Sequence, residues 1–332
     1  MKSLEKIAII GGGAWGTALA TSVQRAGKKP IIWAREEEVV ESINRYNENK
    51  KFLPGISLHK DITATRDHLK LAKSDLVIIA APAQHMRTTV MNLSASFHER
   101  AIIVICTKGI EIDSGSLMSE LIREIIGHRA LAILSGPTFA QEVASGLPCA
   151  VTLACTEEVI GKSVLNAIGS LNFRPYLSPD VIGTQVGGAL KNIIAIAAGI
   201  AIGRQLGENA RAAIVTRGFA EIKKLAIAKG ASSTTLSGLS GLGDLILTCS
   251  SKQSRNFLLG YHLGQNKSFS DLMRARNTIA EGVSSAPAAI KLGRTLSIEL
   301  PICQAVNDIL HKNADIDKTV STLLSRPFRQ EF

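Results

Sequence analysis

The sequence predicts an α/β protein: a doubly wound, mostly parallel sheet in the N-terminal part, followed by an all-α part. Three observations predict it. Short, mostly apolar runs alternate with helical stretches through the first half, the pattern of strands covered on both faces by helices. A glycine cluster follows the first run directly. Near residue 180 the strand-like runs stop, and helical stretches fill the remainder.

In chain order, the predicted strands are residues 7–10, 30–34, 76–81, 101–106, 131–134 and 150–154, and the helices between them include 17–25, 36–44 and 116–126. Residues 46–59 (YNENKKFLPGISLH) read as a longer loop, because Pro54-Gly55 interrupts any regular pattern. Beyond Pro179 the predicted helices are 186–202, 211–229, 258–263, 286–292 and 305–311. The division falls near Pro179, into domains 1–180 and 181–332.

Composition narrows the function classes. The chain has 332 residues, 45% hydrophobic and 20% charged, enough for two domains with their own cores. Aromatics are 4%, which argues against an interaction module built on aromatic anchors. The five cysteines, Cys106, Cys149, Cys155, Cys249 and Cys303, are scattered and form no C-x-x-C pair. That excludes a disulfide framework and a thiolate metal site, and suits the reducing cytoplasm. No metal ligand set is expected. The apolar run after MKSLEK is too short for an export signal. The net charge of +10 is spread over short, dispersed pairs such as Lys50-Lys51. It therefore reads as a solvated surface suited to small anionic ligands, and no nucleic-acid partner is expected.

GGGAWG, Gly11 to Gly16, stands between the first strand and the first helix, with Gly11, Gly13 and Gly16 on the G-x-G-x-x-G positions and Ala14 and Trp15 between them. In a Rossmann-type unit the first glycine makes the tight turn, the second admits a pyrophosphate, and the third lets helix and strand pack closely. The phosphates then meet amide groups at the helix N-terminus. The position that usually carries an acid for the ribose 2′-hydroxyl carries Arg35. A guanidinium there favours NADP(H), with NAD(H) possible; alternatively Arg35 stacks on adenine or faces solvent. The acidic run Glu36-Glu37-Glu38 follows it.

Residues 187–202 read GGALKNIIAIAAGIAI, with Lys191 and Asn192 as the polar side chains. A lysine is rarely buried unless paired or used. Desolvation lowers its pKa toward neutrality, where it can exchange protons. The plainer alternative is a snorkelling lysine. The stretch is no membrane span, since a central lysine would cost ~2.5–3.5 kcal/mol on insertion. Four further segments carry suitable groups. Lys108 lies in CTKG and Ser135–Ala140 read SGPTFA, each after a predicted strand, where ligands bind in open α/β sheets. Asp244 lies in GLGDL ahead of Thr248, or merely caps a helix. Arg255-Asn256, in QSRN, set a guanidinium beside an amide, as a phosphate clamp would.

Taken together and in order, GGGAWG, CTKG, SGPTFAQEVASGLP, GGALKN, GLGDLILTC and SRN resemble the bacterial NAD(P)-dependent glycerol-3-phosphate dehydrogenase family over nearly the whole chain. The resemblance implies reversible reduction of dihydroxyacetone phosphate to sn-glycerol 3-phosphate for phospholipid synthesis, in a cytoplasmic homodimer. It also implies a C-terminal domain of the phosphogluconate-dehydrogenase type. By position, Lys191 matches the general acid/base. Lys108 matches a lysine on the substrate oxygen, and Asn192, Asp244 and Thr248 match the residues that position substrate and Lys191. Ser254, Arg255 and Asn256 match the phosphate site, and Gly136 and Thr138 match substrate contacts. Ala140, Ile279 and Glu281 match cofactor contacts, as do Lys108 and Arg255. One departure stands out: where the family usually has an acid after the long helical motif, this chain has Ile202, Gly203 and Arg204. Competing readings are another β-hydroxyacid or phosphosugar dehydrogenase, a sugar-nucleotide dehydrogenase using Cys249, and a non-catalytic NADP-binding or nucleic-acid-binding protein.

Overall fold

The computed structural model describes residues 4–274, 280–327 and 330. Among the described residues ten strands are formed: β1 (Ile7–Ile10), β2 (Ile31–Trp33), β3 (Glu48–Asn49), β4 (Leu53–Ser57), β5 (Thr63–Thr65), β6 (Leu76–Ile79), β7 (Ile102–Ile105), β8 (Leu131–Ser135), β9 (Cys149–Ala154) and β10 (Phe173–Ser178). Eight of them make one sheet in the order β10-β9-β8-β7-β6-β1-β2-β5. β1, β6, β7 and β8 are buried at every position. Alternate residues of β1 feed opposite cores, Ile7 and Ile9 into one and Ala8 and Ile10 into the other. Each fully buried isoleucine contributes ~1.5–3 kcal/mol. This is why the strands read as continuous apolar runs and the α/β prediction holds.

Four features depart from the sequence reading, one being β5, an unpredicted edge strand that pairs parallel to β2. β9 pairs antiparallel to β8, while β10 continues parallel to β9. β10 (FRPYLS) was not predicted: it is half solvated and carries Pro175, which an edge strand tolerates because its outward N–H has no ladder partner. Residues 46–59 are not simply a loop, because β3 and β4 pair there as a two-stranded ribbon. Asn49 anchors the ribbon, its buried amide donating to the Gly12 carbonyl and to Thr17 Oγ1, both at 2.8 Å.

After Val181 the described elements are helical. The central helix, Val181–Gly203, opens at Asp180, whose carboxylate accepts the Gly183 N–H at 2.7 Å. It is long and apolar enough to span a membrane, but the protein's own atoms bury it. Helices Gly207–Ala228, Asp244–Ser250, Arg255–Gly264, Glu281–Thr295 and Pro301–His311 pack around it. Five of these six helices begin three to five residues ahead of their predictions, and Asp244–Ser250 was not predicted. Side chains such as Asp180 and Ser254 satisfy first turns that carry no apolar signal.

The central helix and Arg255–Gly264 cross with backbones nearly touching. A Cβ at Gly199 would lie 2.1 Å from the Phe257 carbonyl oxygen, and one at Gly260 would lie 2.0 Å from that of Ile196. Gly203 and Gly264, four residues on, repeat the arrangement one turn later. Gly260→Ala should destabilise the chain by at least ~2 kcal/mol in chemical denaturation, because neither backbone can retreat without opening the core.

Candidate active site

At the carboxyl end of β1 the chain turns at Gly11, φ +118°, where a Cβ would stand 3.0 Å from the Ala80 carbonyl oxygen. A Cβ at Gly16 would fall 1.9 Å from the Gly11 carbonyl oxygen, so the helix Ala14–Arg25 starts as close to the strand as a backbone can. Gly13 differs: nothing lies within 4 Å of its Cβ position, and no side chain caps the helix there. Open space above an uncapped N-terminus fits a pyrophosphate. Trp15 Nε1 beside it is buried without a protein partner. Arg35 lies at the end of β2, exposed and paired with Glu36 at 2.8 Å. Ala140 begins the short helix Ala140–Ala144, which Arg25 holds by donating to the Val143 carbonyl at 2.8 Å and to that of Ala144.

The sheet and the helical half meet at Asp244. Lys191 is 6% exposed and Asp244 1%. Lys191 Nζ donates to Asp244 Oδ1 and, at 2.8 Å, to Thr248 Oγ1. The Thr248 hydroxyl in turn donates to the Asp244 carbonyl at 2.6 Å. From the other side Lys108, on the loop after β7, donates to Asp244 Oδ2 at 2.7 Å and to the Gly136 carbonyl at 3.0 Å. One carboxylate therefore faces two ammonium groups. Burial lowers the Lys191 pKa to about 7, opposed by Asp244 and assisted by the like charge of Lys108. The glycine-rich segment before Asp244 makes one wide turn of π-helix, Leu239–Gly243, which delivers the carboxylate between the lysines. Gly188 lets the loops approach: a Cβ there would meet Ser135 Oγ at 2.8 Å and Lys108 Cγ at 3.4 Å. Thr138 Oγ1 donates to the Gly136 carbonyl at 3.1 Å, so the SGPTFA turn closes this wall.

At the next position along the central helix, Asn192 Oδ1 accepts from Asn256 Nδ2 at 3.0 Å, and Asn256 Oδ1 accepts the Gly282 N–H at 2.9 Å. The Asn256 side chain is thus a brace between three helices. Ser254 accepts the Phe257 N–H at 3.2 Å as the cap of Arg255–Gly264. Arg255 heads that helix with solvent access; desolvation lowers its pKa while Glu281 raises it, and at that exposure the guanidinium stays charged. Glu281 begins its own helix beside Gly109 and is held by the Ala83 N–H, and burial pushes its carboxyl upward. Ile279 lies outside the described residues.

The structure therefore gathers Lys191, Asn192, Lys108, Gly136, Thr138, Asp244, Thr248, Ser254 and Asn256 along one seam, and sets the glycine turn with Arg35 at a separate place, the β1 and β2 ends. Two participants escaped sequence reading: Asn49, which braces the glycine turn, and Ser135, whose buried hydroxyl has no protein partner. Only the SGPTFA motif signalled Ser135. Among the described residues no acid, histidine and cysteine group could hold a metal. Burial pushes the Cys249 thiol up to about 12, so it offers no thiolate nucleophile.

Residues 6–160 match the family model described as the N-terminus of NAD-dependent glycerol-3-phosphate dehydrogenase, and residues 180–321 match its C-terminal counterpart. The chain belongs to the NAD-dependent glycerol-3-phosphate dehydrogenase family. It is 50% identical to the glycerol-3-phosphate dehydrogenase [NAD(P)+] of Parvibaculum lavamentivorans, covering 98% of each chain. Against the enzyme of that name from Rhodospirillum rubrum it is 49% identical, over 99% of this chain and 94% of the relative. The crystal structure of glycerol-3-phosphate dehydrogenase from Coxiella burnetii superposes with a TM-score of 0.94 at 34% identity, over 97% of this chain and 99% of that one. Just after the central helix, Arg204 forms an ion pair with Asp317 at 3.1 Å, so this base is neutralised by the last described helix.

Asp244→Ala would remove the carboxylate that pairs both lysines and holds the Lys191 pKa up, so the folded variant binds the Lys191 proton less tightly than the parent. Removing one partner of a buried pair should cost ~3–5 kcal/mol in denaturation below pH 7. The parent, with the higher folded lysine pKa, gains stability over the variant as pH falls through about 7. The loss should therefore shrink as pH rises toward 7 and change little in more alkaline buffer.

Proposed function

We propose that the chain reversibly reduces dihydroxyacetone phosphate to sn-glycerol 3-phosphate, with Lys191 as the general acid/base. The observation that carries this reading is a buried lysine with a pKa near 7, sharing one carboxylate with Lys108, in a chain whose glycine turn leaves open space at an uncapped helix N-terminus. A bound nicotinamide cofactor supplies the hydride for the ketone carbon. Lys108 and Lys191 face the ketone oxygen, where negative charge grows as the carbonyl is reduced, and stabilise it. Lys191 Nζ gives its proton to that oxygen and becomes a neutral amine, to be reprotonated from solvent. Asp244 holds both ammonium groups and keeps enough negative charge nearby for Lys191 to be protonated at neutral pH. Thr248 fixes the direction of Lys191. Arg255 and the first-turn amides of its helix bind the phosphate. Asn256 and Asn192 keep that helix in register with Lys191.

Arg35 favours NADP(H), with NAD(H) accepted; its exposure leaves the guanidinium room to meet a 2′-phosphate, and its pairing with Glu36 tempers the preference. The catalytic unit divides at residues 1–180 and 181–332, works in the cytoplasm as a homodimer, and needs no nucleic acid.

Reduced-cofactor consumption on addition of dihydroxyacetone phosphate tests the reaction; no turnover with either cofactor, while both still bind, would refute it. Arg35→Ala should weaken NADPH more than NADH, seen as a selective rise in the NADPH KM. Reduction requires Lys191 protonated, so kcat should fall as pH rises above about 7, whereas the reverse oxidation requires the amine and should rise through the same range. Lys191→Ala should keep cofactor affinity and lower turnover by at least ~10². Arg255→Ala should raise the KM for the triose phosphate more than it lowers kcat, because a charge-assisted contact is lost.

A further inference from the structure

The loop that carries Lys108 has no regular structure of its own, yet it must hold an ammonium group against a buried carboxylate. Its support comes from a polar cluster that takes no part in the reaction above. Gln84, in the turn after β6, uses both ends of its amide on the loop backbone: Nε2 donates to the Ile110 carbonyl at 2.8 Å, and Oε1 accepts the Ile112 N–H at 3.1 Å. The side chain thus substitutes for a strand partner. Glu111, 7% exposed, lies between them in sequence. Arg87, one turn past Gln84, grips it with a two-pronged pair, Nε to Oε1 at 2.8 Å and Nη2 to Oε2 at 2.9 Å. The same guanidinium reaches Glu124 on the helix Met118–Ile126 at 2.7 and 2.9 Å. Ser114 closes the set by donating to Glu111 Oε2. Such a fork fixes orientation as well as distance, which a lysine in its place would not do.

We propose that Gln84, Arg87 and Glu111 are positioning residues that set the Lys108 loop, so that Lys108 meets Asp244 and the substrate oxygen at the correct height. Glu111 is three residues from Lys108 and is held from the sheet side, while Lys108 reaches across to the helical half. A shift of the loop backbone is transmitted directly to the ammonium group, and displacements of about 1 Å can cost on the order of 10²-fold in rate. The inference rests on Lys108 acting at the ketone oxygen.

The test is a double-mutant cycle with Glu111→Gln and Lys108→Met, followed by dihydroxyacetone phosphate reduction across pH. Glu111→Gln should lower kcat by about tenfold or more with the cofactor KM unchanged. In the Lys108→Met background the same substitution should have little further effect, since it acts through Lys108. The alkaline limb of the kcat profile should move upward in Glu111→Gln and Lys108→Met alike, because Asp244, Lys108 and the Cys249 thiol are the titratable groups that face Lys191, and withdrawal of Lys108 removes a like charge. Losses that multiply in the double variant, or a limb that does not move in Glu111→Gln, would overturn the proposal. Gln84→Met, which alters no charge, should reproduce the kinetic effect if Glu111→Gln folds poorly. A crystal structure of the variant reads the loop without turnover: Lys108 still on Asp244 refutes positioning even if the reaction assignment itself fails.

Discussion

One buried carboxylate organises this molecule. Asp244 is almost inaccessible, and its two oxygens are taken by ammonium groups from different parts of the chain: Lys108 from the sheet and Lys191 from the central helix. A buried charge is tolerated only when paired and hydrogen-bonded, so these groups are interdependent. The carboxylate joins sheet to helices, and it also tunes the proton affinity of Lys191. Without it, burial and Lys108 would drive that lysine to the neutral amine. Burial is the larger force lowering the pKa of that lysine, and the like charge of Lys108 adds to it.

The frame that holds this balance is built by absence of side chains. Gly199, Gly203, Gly260 and Gly264 let two helices touch backbone to backbone, and van der Waals contact at that distance leaves no alternative register. The crossing places Asn256 on Asn192, and Asn256 then reaches the start of the helix that carries Glu281. The start of the Arg255–Gly264 helix, Lys191 and the Glu281 segment therefore move together or not at all. The same economy operates at the glycine turn, where Gly11 and Gly16 leave no gap between strand and helix while Gly13 leaves one above them.

Several readings of the sequence were carried by strong local physics. Apolar strands predicted the sheet because burial on both faces removes alternation. The glycine spacing predicted the turn because only that spacing solves its three steric problems together. The edge strand β10 and the β3–β4 ribbon were illegible for the opposite reason: their residues are half solvated, and their pairing depends on partners distant in sequence. The antiparallel setting of β9 leaves no mark on composition at all.

By itself, then, the sequence determined the α/β class, the glycine turn, the buried lysine on an apolar helix and the motif set of the family, because each is written in residues adjacent along the chain. Tertiary structure alone decided that one carboxylate serves two lysines 53 and 136 residues away, that Asn256 is spent as a brace, and that Gln84, Arg87 and Glu111 converge on the Lys108 loop. Those are contacts between groups far apart in sequence, and residue type does not report which partner a buried polar group will find.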